Sequence, residues 1–168
     1  MKEEQYQFLS EFFTASKSRF NIIKALHDIL PAIMMMFYPL QLAFLLYSEG
    51  FKSEIFLKAT LVPLAVLIFV TILRYVINAK RPYEVYNYSP AIHKNTKGKS
   101  FPSRHTASAF IIAMTFLYVD TKIGIIMLVL ATLIDITRVL SGVHFIKDVV
   151  SGALISILTG IVCFFIFL

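Results

Sequence analysis

Apolar runs long enough to cross a lipid bilayer decide what this chain can become. Residues 29–47, 55–77, 103–119, 123–140 and 145–168 form five such runs, parted by short polar breaks. About 20 apolar residues in a helix cover the roughly 30 Å hydrocarbon core of a bilayer. Of the 168 residues, 58% are hydrophobic and only 15% charged. The expected fold class is therefore all-α, a polytopic transmembrane helix bundle of about five spans. Residues 5–27 carry too many charges to be a further span. Phe8, Phe12, Phe13, Phe20, Ile23 and Leu26 recur there at roughly helical spacing. That spacing predicts an amphipathic helix on the membrane surface, a disordered tail being the alternative. The expected organisation is a single membrane-embedded domain over 1–168, with 1–28 interfacial and 29–168 the helix bundle. The charged opening Met1-Lys2-Glu3-Glu4 does not read as a cleavable signal.

Punctuation within the runs is legible too. Pro31 and Pro39 are expected to start and kink the first span, and Pro63 to kink the second. Pro82 disfavours helix in the residue before it, which places the end of the second span near Arg81. Residues 83–99 are the one long polar connection, and its tyrosines suit the headgroup layer. Pro102-Ser103 reads as a helix start, Asp120-Thr121-Lys122 as a tight turn and Ser141-Gly142 as a break. Gly152, Ser156 and Gly160 recur every four residues. They either let a neighbouring helix approach closely or are small residues of no consequence. The single Cys163 leaves no internal disulfide and no thiolate metal site.

Counting spans shows which polar residues meet. The end of the second span, the start of the third, the end of the fourth and the start of the fifth fall on one membrane face. That brings together Arg74, Arg81, Ser103, Arg104, His105, Arg138, His144 and Asp148. Arg74 and Arg81 are two helical turns apart and share a helix face. An arginine at mid-span costs about 2.5–3.5 kcal/mol on insertion scales, so it normally faces a polar cavity with an anionic partner. Arg138 could pair with Asp135, but that pairing does not account for the other arginines. Several guanidinium groups together bind phosphate and stabilise the charge of phosphoryl transfer. The helix start at Ser103 adds free backbone N–H groups and a positive dipole end. Ser103 itself can cap the helix or bind a phosphate oxygen, and the phosphate contact is the expected role. His144 and Asp148, four apart at a helix start, can share a proton at one imidazole nitrogen. The other nitrogen is then free to attack phosphorus. His105 is the candidate general acid for the departing alkoxide.

His27 and His93 lack such company and read as surface or interfacial residues. No metal and no cofactor is expected, because the arginines bring the positive charge a metal would supply. The net charge is +6, from 16 Lys+Arg against 10 Asp+Glu. With this hydrophobicity, that balance favours membrane lipids and an anionic substrate over nucleic acid.

These residues resemble the signatures of the type 2 phosphatidic acid phosphatase superfamily, which run Lys-x6-Arg-Pro, Pro-Ser-Gly-His and Ser-Arg-x5-His-x3-Asp. The chain has Arg74-x6-Arg81-Pro82, Pro102-Ser103-Arg104-His105 and Thr137-Arg138-x5-His144-x3-Asp148, in the family's order. The resemblance implies that His144 forms a phosphohistidine with Asp148 orienting it, and that His105 protonates the leaving group. It assigns phosphate binding to Arg74, Arg81, Ser103 and Arg138, without a metal. Arg74 and Thr137 depart conservatively from the pattern. Arg104 in place of glycine is the largest change, and its extra cation suggests a diphosphate or strongly anionic lipid. Membrane-bound relatives commonly have six spans, against five and a surface helix here.

The expected activity is hydrolysis of a lipid phosphomonoester or diphosphate, of the phosphatidate, phosphatidylglycerophosphate or polyprenyl diphosphate class. The alternatives are a lipid phosphotransferase with the same intermediate, or a non-catalytic lipid-binding or transport protein. The haloperoxidase-like chemistry of some relatives belongs to soluble proteins. The site face carries 13 of the 16 basic residues, which by charge bias alone would face the cytoplasm. Substrate binding explains several of them, and the resemblance to bacterial relatives places the site at the outer face of the cell membrane. That is the orientation expected here.

Overall fold

The computed structural model describes residues 1–166. Among them the elements are all helical: α1 Glu3–Thr14, α2 Lys17–Glu49, α3 Glu54–Ile77, the single turn α4 Pro82–Val85, α5 Arg104–Val119, α6 Thr121–Leu140 and α7 Ile146–Ile161. The last of these widens into a π-helical turn over Val162–Ile166. Residues 167–168, the end of the expected fifth run, lie outside the described residues.

Four of these helices, α2, α3, α6 and α7 with its extension, are long and apolar enough to cross a membrane. The remaining expected span is α5, with 16 residues and a length of about 24 Å. It is the axis of the bundle. It packs against α3, α6 and α7, and nearly every side chain from Thr106 to Phe116 is buried. The outer faces are as apolar as the centre, with Phe44, Leu61, Ile126 and Leu158 all exposed. This is the pattern of a multi-pass membrane protein, whose helices need no polar coat where they meet lipid.

Two boundaries differ from expectation. The first span does not begin near residue 29, because Lys17–Glu49 is one continuous helix. The segment expected at the interface is thus α1 joined to the opening turns of α2. The second span ends at Ile77, before Arg81, because Asn78 adopts the left-handed conformation (φ 44°) and returns its N–H to Arg74 O at 3.0 Å.

Prolines inside α2 and α3 carry a further consequence. A proline has no N–H to give to the carbonyl four residues earlier. Pro63 thereby frees Ala59 O, which accepts from the Tyr38 hydroxyl at 2.9 Å. Pro31 frees His27 O, which accepts from Arg138 Nη2 at 3.4 Å. In a bilayer such carbonyls must find a partner within the protein, and here doing so ties α2 to both α3 and α6.

Small residues set how closely α7 meets α5. A Cβ on Gly152 would stand 2.7 Å from Ser103 O, and one on Gly160 would stand 2.9 Å from Met114. Ser156 Oγ donates to Ala107 O at 2.8 Å. All three members of the four-residue repeat face the central helix, as the close-approach reading requires. The Asp120 turn also forms as expected, with Asp120 Oδ1 accepting from Ile123 N at 2.9 Å to start α6.

Candidate active site

One end of the bundle collects the polar residues, and the connection between α3 and α5 folds over it. Glu84 closes that connection. Its Oε2 accepts from Arg81 N and from Gly98 N, both at 2.8 Å. Ser100 N donates to Ala79 O at 2.8 Å, so the loop returns to where it left α3. Arg81 is buried inside this ring. Its Nε donates to Gly98 O (3.2 Å) and its Nη1 to Val143 O (3.3 Å), which ties the loop to the α6–α7 connection. Arg74, on the last turn of α3, donates to Pro102 O at 2.9 Å.

Ser103 caps α5. Its Oγ accepts from Thr106 N at 3.5 Å, and its N–H donates to Asp148 O at 2.8 Å. Arg104 and His105, the first two residues of α5, are exposed and line a cavity. His105 lies within electrostatic reach of Arg138 and His144. Arg104 lies within electrostatic reach of Arg74. All eight residues expected at the site therefore share one end of the bundle.

The nucleophile candidate is held tightly. His144 and Asp148 are both buried. Asp148 Oδ2 faces His144 Nδ1 at 3.4 Å, leaving Nε2 unengaged by the pair. The same oxygen accepts from Phe145 N at 3.0 Å and from Ser100 Oγ at 2.5 Å. Burial pushes the His144 imidazole down to about 4, against the pull of Asp148, so at neutral pH it carries no charge. The His144 carbonyl accepts from the Tyr6 hydroxyl of α1 at 3.3 Å. Tyr6 stacks on Tyr88 at 5.6 Å between ring centroids and meets Phe145 edge-on. The N-terminal helix is thus docked on the site, with Ser10 Oγ donating to Ser89 O as a second tie.

Three residues near the site escape motif reasoning. Ser100, with no exposed surface, completes the Asp148 contacts from the loop. Lys94 is half-buried, and burial followed by the Arg138 and Arg81 charges holds its ammonium down to about 8. His27 corrects an expectation. It is not a surface residue but 6% exposed, and its Nε2 accepts from Arg138 Nη1. A signal for it existed, because Ile23, His27, Leu30 and Met34 are all buried at spacings of four, three and four along α2. His93 does lie at the surface, against Ser89 Oγ at 3.1 Å. Asp135 does not pair with Arg138. Its Oδ1 accepts from Thr106 Oγ1 at 2.5 Å instead.

A cavity of about 560 Å³ leads away from Arg104 and His105 between α2, α3 and α5. Its walls are apolar, from Pro31 and Met35 near the site to Leu42 and Thr60 further along. From Pro31 to Leu42 is about 16 Å of helix.

Comparison with known proteins gives a consistent picture. The family model of the PAP2 superfamily matches residues 55–168. Over 65 residues the chain is 42% identical to the bacitracin transport permease protein BcrC of Bacillus licheniformis, covering 39% of this chain. The match spans about a third of that relative's length (32%). The crystal structure of Aquifex aeolicus LpxE is similar at TM-score 0.62 and 30% identity, over 86% of this chain and 91% of that one. The transmembrane PAP2-type phosphatidylglycerolphosphate phosphatase of Bacillus subtilis shares the fold at TM-score 0.69 and 20% identity, over 96% and 83% of the two chains.

Proposed function

The chain belongs to the PAP2 superfamily, and on that premise we propose that it is an integral-membrane lipid phosphate phosphatase. The observation that carries this reading is the apolar cavity whose polar end is Arg104 and His105. A hydrocarbon tail can lie in it while the phosphate reaches the arginines. A water-soluble ester would have no use for the 16 Å or so of apolar wall along α2.

In this reading the phosphate is bound by Arg74, Arg81, Ser103 and Arg138, with the first N–H groups of α5. His144 Nε2 attacks phosphorus in line with the leaving oxygen, and Asp148 holds the proton on Nδ1. The bond from phosphorus to the lipid oxygen breaks, and His105 gives that oxygen its proton. Water then attacks the phosphohistidine, with His105 taking the proton back, and inorganic phosphate leaves. The positive charge comes from the arginines, and no metal takes part. The substrate is a phosphomonoester or diphosphate of the phosphatidate, phosphatidylglycerophosphate or polyprenyl diphosphate class. Arg104 directs it toward a second phosphate or another anionic group. The N-terminal interfacial segment and the bundle act as one unit, with the site at the outer face of the cell membrane.

Phosphate release from a panel of lipid phosphates, by protein in detergent with excess chelator, tests the reading. Activity that survives the chelator and disappears in His144→Ala supports it. Phosphate transferred to an added alcohol instead of water would make the protein a phosphotransferase. Lipid binding without any release would favour a binding or transport protein, the class to which the name of the B. licheniformis relative belongs. Arg104→Gly should weaken the preference for diphosphate over monophosphate lipids, and an unchanged preference would remove that role. For orientation, a cysteine at Asn95 in a Cys163→Ser background should react with an impermeant reagent in intact cells.

A further inference from the structure

Arg138 is nearly fully buried at 2% exposure, at the end of an apolar helix. What meets it is not a carboxylate. Its Nη1 donates to His27 Nε2 and its Nη2 to His27 O. That carbonyl is available because Pro31, four residues on, has no N–H for it. His27 Nδ1 in turn stands 2.9 Å from Asp28 Oδ1. With the proton on Nδ1 and donated to Asp28, Nε2 keeps the lone pair that Arg138 needs. The one carboxylate on Arg138's own helix, Asp135, is engaged by Thr106.

We infer that His27 is a positioning residue of the phosphate site: through two acceptors on one residue of α2, it fixes the Arg138 guanidinium without neutralising it. The inference rests on the phosphate-binding role given to Arg138 above. A carboxylate in the same place would orient the guanidinium equally well. It would also form an ion pair that an incoming phosphate must compete with. A neutral imidazole forms no ion pair with the guanidinium, and it holds the Asp28 carboxylate on its far side, at Nδ1. Arg138 Nε is buried without a partner among the described residues, so the guanidinium still has donor capacity to offer. The role also gives α2, which lies outside the three sequence motifs, a direct part in the chemistry.

The test uses the full-length protein in detergent, with inorganic phosphate and orthovanadate as probes of the anion pocket. Their affinities are read directly and by inhibition of lipid phosphate hydrolysis. His27→Leu removes the side-chain acceptor. It is expected to weaken orthovanadate binding at least tenfold and to lower kcat/KM on the order of 100-fold, the scale of a 1 Å misplacement. His27→Gln keeps an acceptor oxygen near the position of Nε2, and should restore binding to within a few fold of wild type. A thermal melt shows whether each variant is folded. If both variants bind both anions as wild type does, the inference fails. If Gln, folded, is as impaired as Leu, the acceptor role fails and His27 is merely packed there. If no lipid phosphate is hydrolysed by wild type yet anion binding follows the Leu and Gln pattern, the positioning role stands and the phosphatase reading fails.

Discussion

Two side chains near the site have proton affinities that can be read in the rate. His144 is held down to about 4 by burial, so the proposed nucleophile stays neutral well below the ordinary histidine range. Protonation removes it only as pH falls through that value. The loss of kcat/KM due to His144 should therefore centre near pH 4 and not near 6.5, in a profile on a substrate whose own phosphate ionisation is subtracted. His144→Ala should lower kcat by on the order of 10³-fold or more. Lys94 acts at the other end of the pH range. Its ammonium, held down to about 8, loses its charge as pH rises through that value, and an anionic substrate then loses one attraction. kcat/KM should fall above about pH 8, and Lys94→Arg should shift that fall upward because guanidinium stays charged. No motif could have revealed Lys94 or Ser100. Both lie in an irregular loop whose path is set by Glu84 and Arg81, not by any repeat in the sequence. His27 was legible, but only by extending the helical spacing of the first span backward past its last charged residues.

Among the elements, helix starts and turns were the easiest to read, because each depends on a few neighbouring residues. The Pro102-Ser103 start and the Asp120 turn fall where expected, and both side chains cap their helices; for Ser103 the phosphate contact was the expected role, and its hydroxyl instead accepts from Thr106 N. The ends of α2 and α3 were harder, since a charged stretch can continue a helix and Asn78 can end one without any proline. The approach of α7 to α5 is the contact that brings Asp148 O to Ser103 N, and Gly152 makes room for it. Gly152→Ala would press a methyl group against Ser103 O, at the helix start proposed to bind phosphate. It should cost about 1–3 kcal/mol of stability, read by thermal denaturation in detergent. It should also lower activity more than Gly160→Ala, which crowds Met114 Cβ and Cγ two helical turns further along α7. If the two variants lose activity equally, Gly152 does no more than allow packing.

At the scale of the whole molecule, the convergence of eight residues from four chain segments followed from counting spans, and the bundle keeps it. The cavity did not follow from the sequence, since its walls come from apolar residues that look like any other lipid-facing stretch. Ser108 lines it one turn beyond Arg104. Ser108→Leu should reduce kcat/KM for a long-tailed lipid phosphate by on the order of tenfold. The same variant should leave a short, water-soluble phosphate ester unaffected, as measured with the two substrates side by side. Equal losses on both would mean that the tail does not lie there.

The unbroken course of α2 sets a depth. Its 33 residues measure about 50 Å against a hydrocarbon core of about 30 Å. Some four turns of it are therefore surplus to the crossing, and the charges at Lys17, Arg19 and Lys24 suit that surplus to the headgroup layer at the N-terminal end. The helix works as a plumb line. On the proposed function, it would hang the phosphate site at the level where a lipid already carries its phosphate, so that the substrate can drift in sideways and need not be lifted out of its leaflet.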